Sequence, residues 1–388
     1  MDGRLHYLDN ASTVFPKPEA VMRAAVAFCA SAGVSPGRGT FDLALEAASM
    51  LDGCRKKVSE LFGGPSPDRV VFGYNATDAL NLAIFGLLHG GGHVVSTRLE
   101  HNSVLRPVAH CVDDLGARAT LVPFDRRGYV DPDDIRRAIE KDTRLVVVNH
   151  ASNVLGTVQP IAEIGAVCRQ AGVPLCVDVA QSAGVVPIDM EAMSIDVLAF
   201  TGHKSLMGPT GIGGLVVGDG VEIAHTRAGG TGVESARRRH LDDYPFRLEY
   251  GTPNMMGIAG LARGIDLIVE HGGERAIHAR EMALARVLHA ALSATEGVTL
   301  YCAESLEDRT PVFAFNLEGM DPAQVGARLD VDFDVACRTG LHCAPLVHES
   351  LGTAPDGAVR LSIGPLTTLA DVEAAAEGIA ALAKEVRG

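Results

Sequence analysis

Val173-Pro174-Leu175-Cys176-Val177-Asp178-Val179-Ala180-Gln181 and Val197-Leu198-Ala199-Phe200-Thr201-Gly202-His203-Lys204 decide the fold of this chain. Each opens with a short apolar run, too short for a buried helix and rich enough in β-branched residues for a buried strand. Each then breaks at once into polar residues. Outward from this pair the same unit recurs at Val70-Val71-Phe72, His93 to Ser96, Ala119 to Val122, Leu145 to Val148 and Gly214 to Val217, giving seven strands in all. Between them lie amphipathic runs, Asp78 to Leu88, Val104 to Leu115, Pro132 to Lys141 and Ile161 to Ala171, placed to lay an apolar stripe on a sheet. Alternation of this kind predicts a doubly wound α/β domain with a large, mostly parallel, seven-stranded sheet.

Two further helices precede the sheet, one from Pro18 to Ala30 and one from Asp42 to Gly63-Gly64, where glycine supplies the terminal turn. After Gly257 a long helical stretch runs to about Leu292, followed by strand-like segments at Val312 to Leu317 and Val359 to Ile363. That change of pattern predicts a second, smaller α+β domain. The expected division is 16–268 for the large domain, and 1–15 with 269–388 for the small domain and its N-terminal arm. The chain has 388 residues, enough for two cores at roughly 100–200 residues per domain.

Composition excludes several classes. Apolar residues make up 47% and charged residues 21%, leaving no long disordered tail. The formal charge of -14 and the absence of a like-charge block longer than Arg237-Arg238-Arg239 argue against nucleic acid. No stretch reaches the roughly 18 apolar residues of a membrane span, and the start lacks a basic region followed by an apolar run. A cytoplasmic protein without a membrane partner is expected. The eight cysteines contain no CxxC pair, so neither a disulfide framework nor a zinc site is suggested.

In open α/β sheets, ligands bind beyond the carboxyl ends of the strands, so polar residues there are the first suspects. They are Asn75-Ala76-Thr77, Glu100-His101-Asn102, Asn149 to Asn153, Asp178 to Gln181 and Thr201 to Lys204. Asp178 follows its apolar run so closely that its carboxylate should be buried, and a buried charge needs a partner. A protonated pyridine nitrogen would serve; a helix cap is the plainer alternative. Lys204 ends an apolar strand, where partial desolvation frees the neutral amine that a Schiff base requires. An isolated lysine in that place is usually a solvated strand end, and the neighbouring Asp178, Thr201 and His203 favour the chemical reading. The backbone N–H groups of Ala76 and Thr77, with the Thr77 hydroxyl, form an anion site at a helix start.

Two tempting readings are set aside. Pro209-Thr210-Gly211-Ile212-Gly213-Gly214 leads into a strand, the reverse of a dinucleotide fingerprint. His89-Gly90-Gly91-Gly92-His93 resembles a hydrolase oxyanion loop, but the segment reads as a turn.

At Tyr7 to Thr13, Glu100-His101-Asn102-Ser103, Ser152 to Thr157, Asp178 to Gln181, Thr201 to Lys204, Gly251-Thr252-Pro253-Asn254 and Arg338-Thr339-Gly340-Leu341-His342-Cys343-Ala344, the chain resembles the class V aminotransferase superfamily. These are fold-type I pyridoxal-phosphate enzymes. The last motif points within it to the cysteine desulfurases and selenocysteine lyases. The resemblance implies that pyridoxal 5'-phosphate is carried on Lys204. Asp178 would meet the pyridine nitrogen, Gln181 the ring hydroxyl and His101 the ring face. Thr77, Thr201 and His203 would hold the phosphate, with Thr252 arriving from the second subunit of a homodimer. Asn153 and Arg360 would receive the carboxylate of L-cysteine, since guanidinium grips carboxylate through two parallel hydrogen bonds.

The implied reaction has Lys204 moving the α-proton and the Cys343 thiolate taking the substrate sulfur, giving alanine and a persulfide for a thiol or an acceptor protein. A thiolate needs positive charge nearby. A buried thiol, or a disulfide with Cys337, is the alternative for Cys343. Two departures stand out: Leu341 replaces a histidine of many relatives, and Ser35-Pro36-Gly37-Arg38-Gly39-Thr40 lacks the histidine some relatives have before the arginine. Competing expectations are a selenocysteine lyase, another pyridoxal-phosphate C–S lyase or class V aminotransferase-like enzyme, and an idle dimeric scaffold. Intact Lys204, Asp178 and His101 argue against the scaffold.

Overall fold

The structure, a computed structural model, describes residues 5–37, 39 and 41–388. Arg38 and Thr40 of the Gly-Arg-Gly loop lie outside the described residues. All seven expected strands form one sheet, in the order Val70–Gly73, Gly213–Val217, Val197–Thr201, Leu175–Asp178, Thr143–Asn149, Gly92–Thr97, Ala117–Val122. Gly213–Val217 pairs antiparallel with both neighbours, and the other pairings are parallel. The exception has a local cause: a tight loop, not a crossover helix, joins Thr201 to Gly213, and a short return can only run antiparallel. Six strands therefore end at the same edge of the sheet.

Strand alternation splits the sheet between two cores. Leu198 and Phe200 point into one cluster, with Val146, Val148, Leu175 and Val177. Val197 and Ala199 point into the other, with Leu145, Val147 and Cys176. The first face is covered by helices Glu19–Ala32, Asp42–Leu61, Ile161–Ala171 and Met255–Glu270, and the second by Ala76–Leu87 and Asn102–Leu115. Because the inner strands are buried on both faces, polar groups concentrate where those strands end.

The long helical stretch after Gly257 is two helices, Met255–Glu270 and Glu274–Ala294. Gly272 and Gly273, at φ 91° and 83°, break it in a conformation other residues rarely adopt. Ile277 still packs in the large core, whereas Met282 belongs to a third cluster with Leu8, Phe313, Phe315, Leu361 and Ile379. This third core lies under a four-stranded antiparallel sheet, Arg338–Gly340, Ala358–Ser362, Val312–Leu317 and Val298–Leu300. The N-terminal arm joins it: His6–Tyr7 pairs with Val335–Ala336, and Asp9 bridges to Ser362. That arm brings Asp9 to Thr13 against both sheets.

Candidate active site

A cavity of about 230 Å³ opens where the large sheet's carboxyl edge meets the arm and the small sheet. The sequence-predicted residues Ala76, Thr77, His101, Asn153, Asp178, Gln181, Thr201, His203, Lys204 and Arg360 all line it. Ser12, Ser103 and Arg338 line it too, and sequence reasoning assigned them no role. Each lay inside a quoted motif, which was the available signal.

Lys204 follows the strand Val197–Thr201. Burial, opposed by Asp178 and reinforced by Arg360 and Arg338, lowers its amine to about 8. Asp178 ends the strand Leu175–Asp178 and is 6% exposed. Its Oδ1 accepts from the Ala180 N–H at 2.9 Å. Burial raises its pKa against that bond and the Lys204 charge. A cation held against the carboxylate would restore its ionised form.

His101 caps helix Asn102–Leu115, with Nδ1 accepting from the Ser103 N–H at 3.0 Å. A neutral ring that accepts at Nδ1 carries its proton on Nε2. Burial first, then Lys204, Arg338 and Arg360, depresses its pKa to about 4. The Ser103 hydroxyl lies 2.8 Å from that Nδ1 and 2.6 Å from Thr77 Oγ1, tying the two helix starts together.

Three observations test the fit of pyridoxal phosphate. Asn75 caps helix Ala76–Leu87 by accepting from Asp78, and the Ala76 and Thr77 N–H groups at the helix start have no intrahelical acceptor. The Thr201 hydroxyl is buried without a partner among the described residues. Asp178 is a buried carboxyl group with no cationic side chain in hydrogen-bond contact among the described residues. A phosphate for the helix start and hydroxyl, and a protonated ring nitrogen for the carboxylate, match these needs, so the residues fit the cofactor.

The arginines come from the small sheet. Arg360, 1% exposed, donates to Asp9 Oδ1 at 2.5 Å, Ser12 Oγ at 2.8 Å and the Asn153 carbonyl at 3.0 Å. Its Nε is buried without a partner among the described residues. Asn153 Nδ2, expected to face the substrate, instead donates to the His342 carbonyl at 2.7 Å. Arg338 donates to Ser12 Oγ at 3.1 Å, and its Nη2 lies 3.5 Å from Cys343 Sγ.

Cys343 lies outside the cavity lining proper, in the turn after Gly340, where His342 and Cys343 have φ 51° and 56°. Its carbonyl accepts from the Asn102 N–H at 2.7 Å, which fixes the turn beside His101. All eight cysteines are free, so no bridge joins Cys337 to Cys343. A second histidine does reach His342, from the following helix: His348 Nε2 stands 3.3 Å from His342 Nδ1. Thr252 is elsewhere, in a separate cavity with Asp78, Arg227 and Tyr250.

The family model described as Aminotransferase class-V matches residues 6–375. A relative from Methanothermobacter thermautotrophicus named "Probable cysteine desulfurase" is 34% identical over 383 residues, covering 97% of this chain and 94% of that protein. The protein named "Cysteine desulfurase" from Enterobacter sp. is 34% identical over 349 residues, covering 88% and 84%. The solved apo structure of a cysteine desulfurase from Thermococcus onnurineus NA1 superposes with a TM-score of 0.91 at 32% identity, covering 98% of this chain and 95% of that one.

Proposed function

The chain belongs to the class-V aminotransferase family, and on that premise we propose that it is a pyridoxal-phosphate-dependent cysteine desulfurase. It converts L-cysteine to L-alanine and leaves the sulfur as a persulfide on Cys343. The observation that carries the reading is the Arg338 guanidinium, which lines the Lys204 cavity and reaches within 3.5 Å of Cys343 Sγ. A cation bridging a reactive amine and a thiol fits sulfur transfer better than transamination, which needs no thiol.

When bound, the cofactor supplies an electron sink for charge developing on the substrate carbon. Ala76, Thr77, Thr201 and His203 would hold its phosphate, Asp178 its ring nitrogen and Gln181 its ring hydroxyl. His101, fixed by Ser103 with its ring proton on Nε2, would cover the ring face. Lys204 Nζ, with its lowered pKa, would hold the cofactor and, as a free amine, would take the substrate's α-proton. Arg360, with Asn153 beside it, orients the substrate carboxylate. Cys343 Sγ, with the Arg338 guanidinium 3.5 Å away, attacks the substrate sulfur; the C–S bond breaks, its electron pair stays on the carbon side, and that side takes up protons to become alanine.

On the division proposed here, residues 16–268 supply the lysine, aspartate and histidines, while 1–15 and 269–388 bring Ser12, Arg338, Cys343 and Arg360. We place the enzyme in the cytoplasm, where eight free thiols stay reduced, and expect a thiol or an acceptor protein to take the persulfide sulfur. No helix among the described residues is long and apolar enough to cross a membrane. Thr252 stands outside this chain's cavity, so its phosphate contact requires a homodimer. Sedimentation tests that point, and an active, cofactor-loaded monomer at assay concentration overturns it.

The decisive assay incubates the protein with L-cysteine and a reductant and measures alanine and sulfide together. Equal amounts of the two are expected. Pyruvate and ammonia would indicate β-elimination instead, and turnover of selenocysteine alone would indicate a lyase for that substrate.

A further inference from the structure

The N-terminal arm places one hydroxyl between the two arginines of the cavity. Ser12 Oγ lies 2.8 Å from Arg360 Nη2, 3.1 Å from Arg338 Nη1 and 2.9 Å from Asp9 Oδ1. Chemistry fixes the direction of each bond. Guanidinium only donates, carboxylate only accepts, and a hydroxyl has two lone pairs and one proton. Each lone pair of Ser12 therefore takes an arginine N–H, and the proton goes to Asp9. The hydroxyl's capacity is fully used.

The turn that carries Ser12 is tied to both domains. On the small sheet, Asp9 bridges to Ser362 and the Ala11 N–H donates to Ser362 Oγ at 2.9 Å. On the large domain, the Val14 N–H donates to the His203 carbonyl at 3.2 Å, and within the turn the Ser12 N–H donates to the Asp9 carbonyl at 3.1 Å. Beyond their shared oxygen the arginines diverge. Arg360 Nη1 reaches the Asn153 carbonyl, while Arg338 Nη2 faces Cys343 Sγ at 3.5 Å. The two guanidiniums carry like charge on opposed residues of one ladder, an arrangement that drives them apart unless an acceptor stands between.

We propose that Ser12 is a positioning residue that couples the two arginines, holding Arg338 beside the Cys343 thiol and Arg360 toward the substrate carboxylate at one fixed spacing. The inference rests on the reading that Arg360 receives the carboxylate of cysteine and Cys343 its sulfur.

The test is a double-mutant cycle on the cofactor-loaded, full-length enzyme, reading by peptide mass spectrometry how fast iodoacetamide alkylates Cys343. Ser12→Ala should slow alkylation severalfold, and Ser12→Thr, which keeps the hydroxyl, should hold the wild-type rate. In an Arg338→Met background, Ser12→Ala should change the rate no further, because the bridge is already cut. The KM for cysteine should rise about tenfold in Ser12→Ala, the loss of one hydrogen bond to a charged group. Binding of pyridoxal phosphate should stay as it was. An unchanged alkylation rate in Ser12→Ala, or an equal further slowing in the Arg338→Met background, overturns the proposal. Equal weakening of pyridoxal phosphate binding would assign Ser12 to the stability of the arm and overturn it too. Alkylation does not require turnover, so a wild-type protein that makes no alanine from cysteine brings down the desulfurase reading, while the cycle still decides whether Ser12 joins the arginines.

Discussion

Arg338 and Arg360 stand directly opposite each other in the antiparallel ladder between Arg338–Gly340 and Ala358–Ser362, and both line the cavity. Like charges in that relation are destabilising unless anions offset them. Asp9, bonded to Arg360, supplies one negative charge. A second cationic demand is left for a ligand, and a substrate carboxylate on one side with a thiolate on the other would meet it.

Arg360→Lys keeps the charge but loses the planar fork that holds Asp9, Ser12 and the Asn153 carbonyl at once. The KM for cysteine should rise about tenfold or more, consistent with the loss of roughly 1.5–3 kcal/mol of charge-assisted hydrogen bonding. Steady-state kinetics check this. An unchanged KM would remove Arg360 from substrate binding.

Lys204 should carry the cofactor, and its pH dependence has a definite sign. The amine pKa is lowered to about 8. Below that value Nζ is protonated and cannot attack an aldehyde; above it the neutral amine dominates. Uptake of pyridoxal phosphate by the apoprotein, followed by absorbance, should therefore speed up as pH rises through about 8 and then level off. Borohydride reduction and peptide mapping should find the pyridoxyl group on Lys204, and a label on another lysine would sink the assignment.

The large sheet was legible because its inner strands are buried on both faces, so their residues form apolar runs such as Leu145 to Val148. The carboxyl-edge rule then located Lys204, Asp178 and His101 without any knowledge of contacts. The small domain gave weaker signals. Arg338–Gly340 and His6–Tyr7 are too short for a period, and both are held by partners far away in sequence. The roles of Ser12 and Arg338 depend on those pairings, which bring Arg338 beside Arg360 and the arm beneath both. One N–H of the Asn153 amide goes to the His342 carbonyl, a contact from a turn far along the chain that the sequence alone does not reveal.

Glu100 offers a stability test. Its Oε1 accepts from Thr97 Oγ1 at 2.7 Å and from the Asn149 N–H and Nδ2 at 3.0 and 3.2 Å, while Oε2 is buried without a partner among the described residues. Burial, only partly opposed by those bonds, raises its pKa to about 8 from the ordinary 4.5. Between these values the folded state binds a proton that the unfolded state has lost, so this group makes stability fall as pH rises through that window. Glu100→Gln keeps an acceptor and removes the titration. The variant should gain about 2–4 kcal/mol relative to the parent between pH 4 and pH 8, measured by denaturant unfolding at both. A constant difference across that range would place the Glu100 ionisation elsewhere.

The backbone at Cys343 provides a control on its side chain's role. At φ 56° the residue sits in the left-handed region, which costs a non-glycine residue roughly 1–2 kcal/mol. The surrounding bonds hold it there: Asn102 donates to the Cys343 carbonyl and Asn153 to the neighbouring His342 carbonyl. Strain of that kind is retained where geometry matters, here to turn Sγ toward the Arg338 guanidinium. Cys343→Ala and Cys343→Gly should both bind pyridoxal phosphate and cysteine, because Lys204, Asp178 and Arg360 are untouched, and both should lose alanine and sulfide production. Glycine relieves the backbone and alanine does not, so Cys343→Gly should be the more stable of the two by about 1 kcal/mol in denaturant unfolding. In the wild type, Cys343 should react fastest with iodoacetamide among the eight thiols, and Arg338→Met should slow that reaction severalfold by removing the cation beside Sγ. Mass spectrometry after a single turnover should find the extra sulfur on Cys343. If Cys343→Ala desulfurates cysteine at the wild-type rate, or if the persulfide appears only on Cys337, the sulfur has another acceptor and the role given to Cys343 is wrong.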